Sequence, residues 1–179
     1  MPIITIEKSK MKNNIKKMAF IGMMGSGKTS VVQAFSKFHQ KKCFDLDFIF
    51  EKKYGKISDF FKNYGEETFR KKETELLEEV IKNDEFVLST GGGIILSEKN
   101  REILFRGDIC TIYLSANPDT IYERIKNDTT RPLLIVKNPK EEIRKILENR
   151  KKFYKLANIE IKTDNKNIDE IVKEITEKL

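Results

Sequence analysis

One run of eight residues in this sequence has the residue types and the spacing needed to hold a phosphate. Residues 22–29 read Gly-Met-Met-Gly-Ser-Gly-Lys-Thr and fit the pattern G-x-x-x-x-G-K-[ST] at every fixed position. Glycines let the backbone turn tightly, so that successive N–H groups point at phosphate oxygens, and a helix start adds the positive end of its dipole. Lys28 then reaches the β- and γ-phosphates, while the Thr29 hydroxyl holds Mg²⁺. The motif predicts a nucleoside triphosphate site but does not name an acceptor.

Two acidic residues alternate at the end of the second predicted strand. Asp45 and Asp47 would border the ligand crevice, because ligands of open α/β sheets bind outside the carboxyl ends of the strands. One carboxylate there would help to bind Mg²⁺, and the other would interact with an attacking hydroxyl. The alternative is a helix N-cap beside a solvated acid. The nearby phosphate loop favours the functional interpretation.

An arginine interrupts the apolar stripe of a predicted helix after Pro139. Arg150 lies seven residues after Ile143 on a stripe that ends in Phe153 and Tyr154. A guanidinium at that position either extends outward to water or meets an anion, and its fork of donors suits a carboxylate or a phosphate. We therefore expect Arg150 to bind an anion.

Two further groups are less specific taken alone. Arg70 and Glu73 lie three residues apart on one helix face, although Glu66, four residues before Arg70, makes an ordinary surface ion pair the favoured account when these residues are taken alone. Gly91, Gly92 and Gly93 follow a predicted strand, where they either let the backbone approach a ligand closely or form a flexible turn.

Short apolar runs alternate with longer amphipathic stretches, which predicts a parallel sheet covered by helices. Strands are expected at 18–21, 42–46, 86–88, 109–114 and 159–162. A helix is expected at 28–38, where Val31, Val32, Phe35 and Phe38 have the spacing of one apolar face. Further helices are expected at 48–81 with breaks near Gly55 and Gly65, after the cap signals Asn117-Pro118 and Asn138-Pro139, and from Ile168 to the end. Residues 126–137 show no clear period and have the length of a lid.

Composition restricts the class of protein. The 179 residues suit one domain, and the sequence contains no apolar run of the roughly 18 residues that a membrane span needs, so a cytoplasmic location is expected. The only histidine, His39, argues against Ser-His-Asp and multi-histidine metal sites, and Cys43 and Cys110 are expected to be buried thiols. A net charge of +7 suits nucleic acid or anionic small molecules, but the lysines are spread along the chain rather than gathered.

In combination these features resemble the shikimate kinase family of P-loop small-molecule kinases. The matching stretches are residues 22–29, 45–47, 65–70 with Glu73, 89–93, the Arg-Pro-Leu-Leu of 131–134, and Arg150 with Tyr154. The resemblance implies a three-layer P-loop NTPase fold, with a central five-stranded parallel sheet and helices on both faces. It further implies a single kinase domain at 18–179, with a helical substrate-binding segment at about 47–82 and a lid at about 126–137, after an N-terminal arm at 1–17 that has no assigned role.

The resemblance also implies the reaction and the roles of individual residues. ATP would give its γ-phosphate to the 3-hydroxyl of shikimate, a step of the chorismate and aromatic amino acid pathway, in a monomer that uses Mg²⁺ and binds neither nucleic acid nor membrane. The catalytic residues would be Lys28, Asp47 and Arg131. The ATP-binding residues would be Gly25, Ser26, Gly27, Lys28, Thr29, Ser30, Arg131 and, against adenine, Arg124. Shikimate would be bound by Asp47, Arg70, Gly91, Gly92, Gly93 and Arg150, and the metal by Thr29 and, through water, Asp45.

Two departures and three rival functions accompany this interpretation. Met24 replaces a small residue or proline of many members, and no arginine occurs near 163–167, where some members have one beside adenine. The nearest rival is a kinase acting on gluconate or a nucleoside monophosphate. The positive charge suggests a nucleic-acid-binding regulatory ATPase, and a structural nucleotide-binding protein is the third alternative.

Overall fold

The computed structural model of this chain describes residues 15–128, 136 and 138–179. Residues 1–14 of the predicted arm lie outside that description. So do residues 129–135 and 137, which include Arg131 and most of the predicted lid.

The centre of the molecule is a five-stranded sheet in which every pair of neighbouring strands is parallel. Its strands are β1 (Lys17–Ile21), β2 (Cys43–Asp45), β3 (Phe86–Ser89), β4 (Cys110–Ser115) and β5 (Ile159–Lys162). Their order across the sheet is β2-β3-β1-β4-β5, so that β1 is central and β2 and β5 form the edges. The five predicted strands are confirmed, with bounds that shift by at most one residue.

Helices cover both faces of the sheet. They are α1 (Lys28–His39), α2 (Leu46–Tyr54), α3 (Ile57–Val80), α4 (Glu98–Leu104), α5 (Pro118–Ile125), α6 (Pro139–Tyr154) and α7 (Ile168–Lys178). Side chains alternate along β1, so Met18 and Phe20 pack with α1 and α7, whereas Ala19 and Ile21 pack with α2, α3 and α6. The predicted three-layer fold is confirmed. No helix in the described ranges combines the length and hydropathy that a bilayer crossing needs.

The chain leaves β2 and enters α2 without a loop. β2 ends at Asp45 rather than at the predicted residue 46, because the Asp45 side chain accepts a hydrogen bond from Phe48 N and caps α2. The expected breaks at Gly55 and Gly65 are confirmed, since their φ angles of 84° and 77° interrupt the helical backbone. Between β3 and β4 the structure adds α4 and a short 3₁₀ turn at Ile94–Leu96, which the sequence patterns did not predict.

Three local predictions are wrong. Cys43 is exposed rather than buried, because it lies on the short edge strand β2. Phe38 is 71% exposed, because the inward position after Phe35 is taken by His39, whose ring centroid lies 4.2 Å from that of Phe35.

Asn117 is the third. It precedes α5 as expected, but within the described chain its side chain makes no capping hydrogen bond. Its backbone N–H donates instead to Asp164 Oδ1 at 2.9 Å. The Asn117-Pro118 pair therefore predicted the start of α5 correctly, whereas the capping hydrogen bond expected from the Asn117 side chain does not form in the described chain.

Candidate active site

The phosphate loop connects the central strand β1 to α1. Gly25 has a φ of 74°, and a Cβ at that position would lie 2.7 Å from Ile125 Cγ2, so the loop needs glycine there both for its backbone angle and for its packing on α5. Lys28 begins α1, and its ammonium donates to the carbonyls of Gly22 and Met23 at 2.9 Å each. These bonds hold the ammonium over the loop, where it would meet the phosphates of a nucleotide.

A hydroxyl and a carboxylate meet at the end of the loop. Thr29 Oγ1 donates to Asp45 Oδ2 at 2.7 Å, and Ser89 Oγ lies 3.4 Å from the same hydroxyl. Mg²⁺ prefers oxygen ligands and commonly binds through one or two carboxylates, substrate phosphates and water. Across the described ranges no three His, Cys, Asp or Glu residues cluster as a metal cage would require. The Thr29–Asp45 pair therefore fits an ion that nucleotide phosphates help to hold.

A cavity lies beside the loop, on the side of α7. It is lined by Ser26, Gly27, Ser30, Arg124, Lys166 and Asn167, among others. Arg124 donates to Gly25 O at 3.2 Å and to Thr163 O at 2.8 Å, so its guanidinium joins α5 to the loop after β5. Lys166 and Asn167 were missed by sequence reasoning. The available signal was their place directly after a parallel strand, where ligands of such sheets bind.

The three glycines after β3 lie against the charged residues of the predicted acceptor site. A Cβ at Gly91 would lie 2.9 Å from Asp47 Oδ1 and 2.8 Å from Glu73 Oε1, and a Cβ at Gly93 would lie 2.3 Å from Arg70 Nη2. Arg150 Nη1 donates to Gly92 O at 3.2 Å. The glycine turn therefore has Arg70 and Glu73 of α3, Asp47 of α2 and Arg150 of α6 as its neighbours.

Arg70 is held by two carboxylates of its own helix. Its Nη1 donates to Glu73 Oε2 at 2.8 Å and its Nη2 to Glu66 Oε1 at 3.0 Å. Burial acts against the charge of Arg70, but Glu73 and Glu66 raise its pKa. Because the Glu73 side chain is only 3% exposed, its pair with Arg70 is not the surface ion pair that the sequence left open.

The carboxyl of Glu73 interacts electrostatically with three other charged residues of this site. Burial raises the pKa of its carboxyl to about 7 against the opposing charge of Arg70; Asp47 raises it further and Arg150 lowers it. One of its oxygens, Oε1, is buried with no hydrogen-bond partner in the described structure. Two arginines that are 80 positions apart in sequence thus act on the same carboxyl beside the phosphate loop.

Known proteins of one family are similar to this chain over most of its length. The family model described as "Shikimate kinase" matches residues 24–179. A shikimate kinase from Enterococcus faecalis is 41% identical over 169 residues, which cover 92% of this chain and 99% of that protein. The chain belongs to the shikimate kinase family. This family member is accordingly an ATP-dependent small-molecule kinase.

Solved structures of the family share the fold. The structure of an Acinetobacter baumannii shikimate kinase in complex with shikimate superimposes with a TM-score of 0.86, at 30% identity, and covers 94% of each chain. A shikimate kinase from Sulfurihydrogenibium is 38% identical over 92% of this chain and 98% of its own length. The likeness extends across the sheet and the helices that carry the candidate site.

Proposed function

We propose that this kinase transfers the γ-phosphate of ATP to the 3-hydroxyl of shikimate, giving 3-phosphoshikimate and ADP. The observation that carries the proposal is the approach of Arg70 and Arg150 to the Gly91–Gly93 turn beside Asp47, next to the phosphate loop. Two guanidinium groups suit a small acceptor that bears a carboxylate, as shikimate does.

The residues of the phosphate loop have distinct tasks in this reaction. Backbone N–H groups of residues 25–30 bind the phosphates, and Lys28 stabilises the charge of the transferring group. Thr29, and Asp45 through water, would hold Mg²⁺, which neutralises phosphate charge when bound. Arg124 would contact adenine, and Arg131, outside the described residues, would approach the phosphate from the lid at 126–137.

The acceptor side positions and activates the hydroxyl. Arg70 and Arg150 bind the carboxylate of shikimate, Glu73 orients Arg70, and Gly91 to Gly93 bind a second hydroxyl through the backbone. Asp47 accepts the proton of the shikimate 3-hydroxyl as the oxygen of that hydroxyl attacks the γ-phosphorus. The bond from that phosphorus to the bridging oxygen of ADP breaks, so that catalysis consists largely of positioning and charge stabilisation.

The proposal places the whole reaction in one kinase domain at 18–179, with 47–82 as the helical substrate-binding segment. The cytoplasmic location and the monomeric state stay predictions from the sequence, which assigns no role to the arm at 1–17. Cell fractionation, sedimentation and a variant lacking residues 2–14 would check them.

An ADP-release assay with three acceptors tests the function. Purified enzyme, ATP and Mg²⁺ are incubated with shikimate, gluconate or AMP, and ADP is measured by a coupled assay. We expect shikimate alone to raise ADP release above the rate without acceptor. Faster release with gluconate or AMP would assign the enzyme to the rival kinases instead.

A further inference from the structure

The carbonyl of Gly92 accepts two hydrogen bonds from one helix. Tyr154 donates its hydroxyl to Gly92 O at 2.5 Å, and Arg150 donates Nη1 to the same oxygen at 3.2 Å. A peptide carbonyl has two lone pairs, so α6 supplies a donor for each of them. Both donors come from the last two turns of α6, about 60 residues after the glycine turn.

We propose that Tyr154 is a positioning residue for the acceptor site. Its hydroxyl fixes the Gly92 peptide and thereby fixes both the Arg150 guanidinium and the direction of the neighbouring Gly93 N–H. This inference rests on the proposed function, because Tyr154 is inferred to set the geometry of the site that would bind shikimate.

The tyrosine ring is held rigidly enough for this task. Tyr154 is fully buried, and its ring stacks on that of Tyr113 with centroids 5.0 Å apart and an angle of 14° between the planes. Burial raises the pKa of Tyr154 to about 12, so its hydroxyl keeps its proton, and can donate it, throughout the working pH range. The donor therefore has one position and one protonation state.

The orientation of the Gly92 peptide affects several parts of the site. Peptide groups are planar and trans, so the carbonyl of Gly92 and the N–H of Gly93 point in opposite directions, and fixing one fixes the other. A Cβ at Gly92 would lie 3.0 Å from Met24 N, which places this residue directly against the phosphate loop. A rotation of the peptide would therefore disturb Arg150, the glycine N–H groups and the contact with the nucleotide loop together.

The substitution Tyr154→Phe removes the hydroxyl and keeps the stacked ring. The loss of one neutral hydrogen bond should lower kcat/KM for shikimate roughly 3- to 10-fold, mainly through a higher KM, while KM for ATP changes less than about 2-fold. Tyr113→Phe is the matched control, because it removes a hydroxyl from the same stacked pair without touching Gly92. A Tyr154→Phe enzyme with lower thermal stability and wild-type kinetics for shikimate would overturn the proposal.

A double-mutant cycle tests whether Tyr154 acts through the shared carbonyl. In the Arg150→Lys background, Tyr154→Phe should have a clearly smaller effect on KM for shikimate than in the wild-type background, because the two side chains fix the same oxygen. Additive effects would show that the hydroxyl acts independently of Arg150 and would contradict the inference.

Amide hydrogen exchange separates this inference from the proposed function. Without substrates, Tyr154→Phe should speed exchange of the Ile94 amide, which donates to Gly91 O at 3.2 Å across the glycine turn, roughly 5-fold or more relative to Tyr113→Phe. If the wild-type enzyme failed to phosphorylate shikimate, the proposed function would fall, whereas the exchange rate would still decide whether Tyr154 holds the turn. Unchanged exchange at Ile94 would refute the positioning role.

Discussion

Lys28 is the residue through which the phosphate loop acts on the reaction. Its side chain is buried, and its ammonium bonds to the carbonyls of Gly22 and Met23, so it is already placed over the loop. Placement of a charge before the substrate arrives is what makes electrostatic stabilisation effective, because little reorganisation remains for the transition state.

Lys28→Ala should therefore abolish most of the turnover and leave the fold intact. We expect kcat to fall on the order of 10²-fold or more, which corresponds to several kcal/mol of transition-state stabilisation. Turnover of ATP with shikimate measures the loss, and circular dichroism verifies the fold. Lys37→Ala, at an exposed position of the same helix, is the control and should keep wild-type turnover. Full activity of Lys28→Ala would contradict the role of the loop.

Glu73 should make stability depend on pH in a definite direction. Its pKa of about 7 in the folded protein exceeds the usual value of a carboxyl in an unfolded chain, so the folded state binds more protons between about pH 4.5 and 7. The free energy of unfolding then falls as pH rises through that window and levels off above it. Burial of the side chain sets this sign, since it penalises the carboxylate.

Urea denaturation between pH 4.5 and 8 tests this expectation. The carboxyl accounts for at most about 3 kcal/mol of the decrease, and Glu73→Gln should remove that part of the pH dependence. The control is Glu66→Gln, which alters the more exposed carboxylate partner of Arg70 and should retain the wild-type pH profile. Identical profiles for wild type and Glu73→Gln would show that Glu73 does not titrate in this window.

At the scale of elements, asparagine is the N-cap residue of α5, α6 and α7, and the side chains before α5 and α7 are used differently. Asn167 Oδ1 accepts from Glu170 N at 2.9 Å while Glu170 Oε2 accepts from Asn167 N at 2.8 Å, so α7 begins with a reciprocal capping box. Asn117 occupies the same position before α5, but its side chain makes no capping bond within the described structure. Asn117 is therefore a matched control for the substitution of Asn167.

Asn167→Ala should destabilise the protein by about 1 kcal/mol, the typical cost of losing an N-cap side chain. Asn117→Ala should cost only a few tenths of a kcal/mol, because its backbone bond to Asp164 survives the substitution. Urea denaturation of both variants measures the difference. Equal losses would mean that the cap geometry does not set the stability of α7.

Sequence patterns located most elements because their signals are local. The Pro118 and Pro139 starts, the breaks at Gly55 and Gly65 and the apolar strands all follow from neighbouring residues. Failures arose where position in the fold decides. Cys43 is exposed because β2 is an edge strand, which its own residues do not reveal. The 3₁₀ turn and α4 were missed because they are too short to show a period.

At the scale of the whole molecule, the acceptor site depends on contacts between distant elements. The stripe of α6 predicted that Arg150 binds an anion, which stays a prediction, and in the structure its Nη1 donates to the carbonyl of Gly92 after β3. That partner could not be predicted from the residues around Arg150, since it is set by how α6 packs beside the glycine turn. The resemblance to a family grouped these residues, and the fold accounts for their meeting.

The charge of the molecule is also a property of the whole surface. The net charge is +7, but exposed lysines on the helices pair with glutamates three or four residues away, as Lys71 does with Glu67 and Lys151 with Glu148. Interleaved pairs reduce the continuous basic surface that nucleic-acid binding requires, whereas a diffuse positive field still favours small anions such as ATP.

We therefore expect weak, salt-sensitive association with nucleic acid and no binding of functional strength. Fluorescence anisotropy of labelled single- and double-stranded 20-mers should show no saturation below about 100 µM protein at 150 mM KCl, which is weaker than the Kd values of about 10⁻⁴ to 10⁻⁶ M that non-specific nucleic-acid binders typically show at physiological salt. Any change at low salt should disappear when ATP is added, because both anions would then compete for the same diffuse charge. Saturable binding at low micromolar protein and 150 mM KCl would instead favour the regulatory ATPase, since it would require a basic surface that the paired lysines of the described helices do not form.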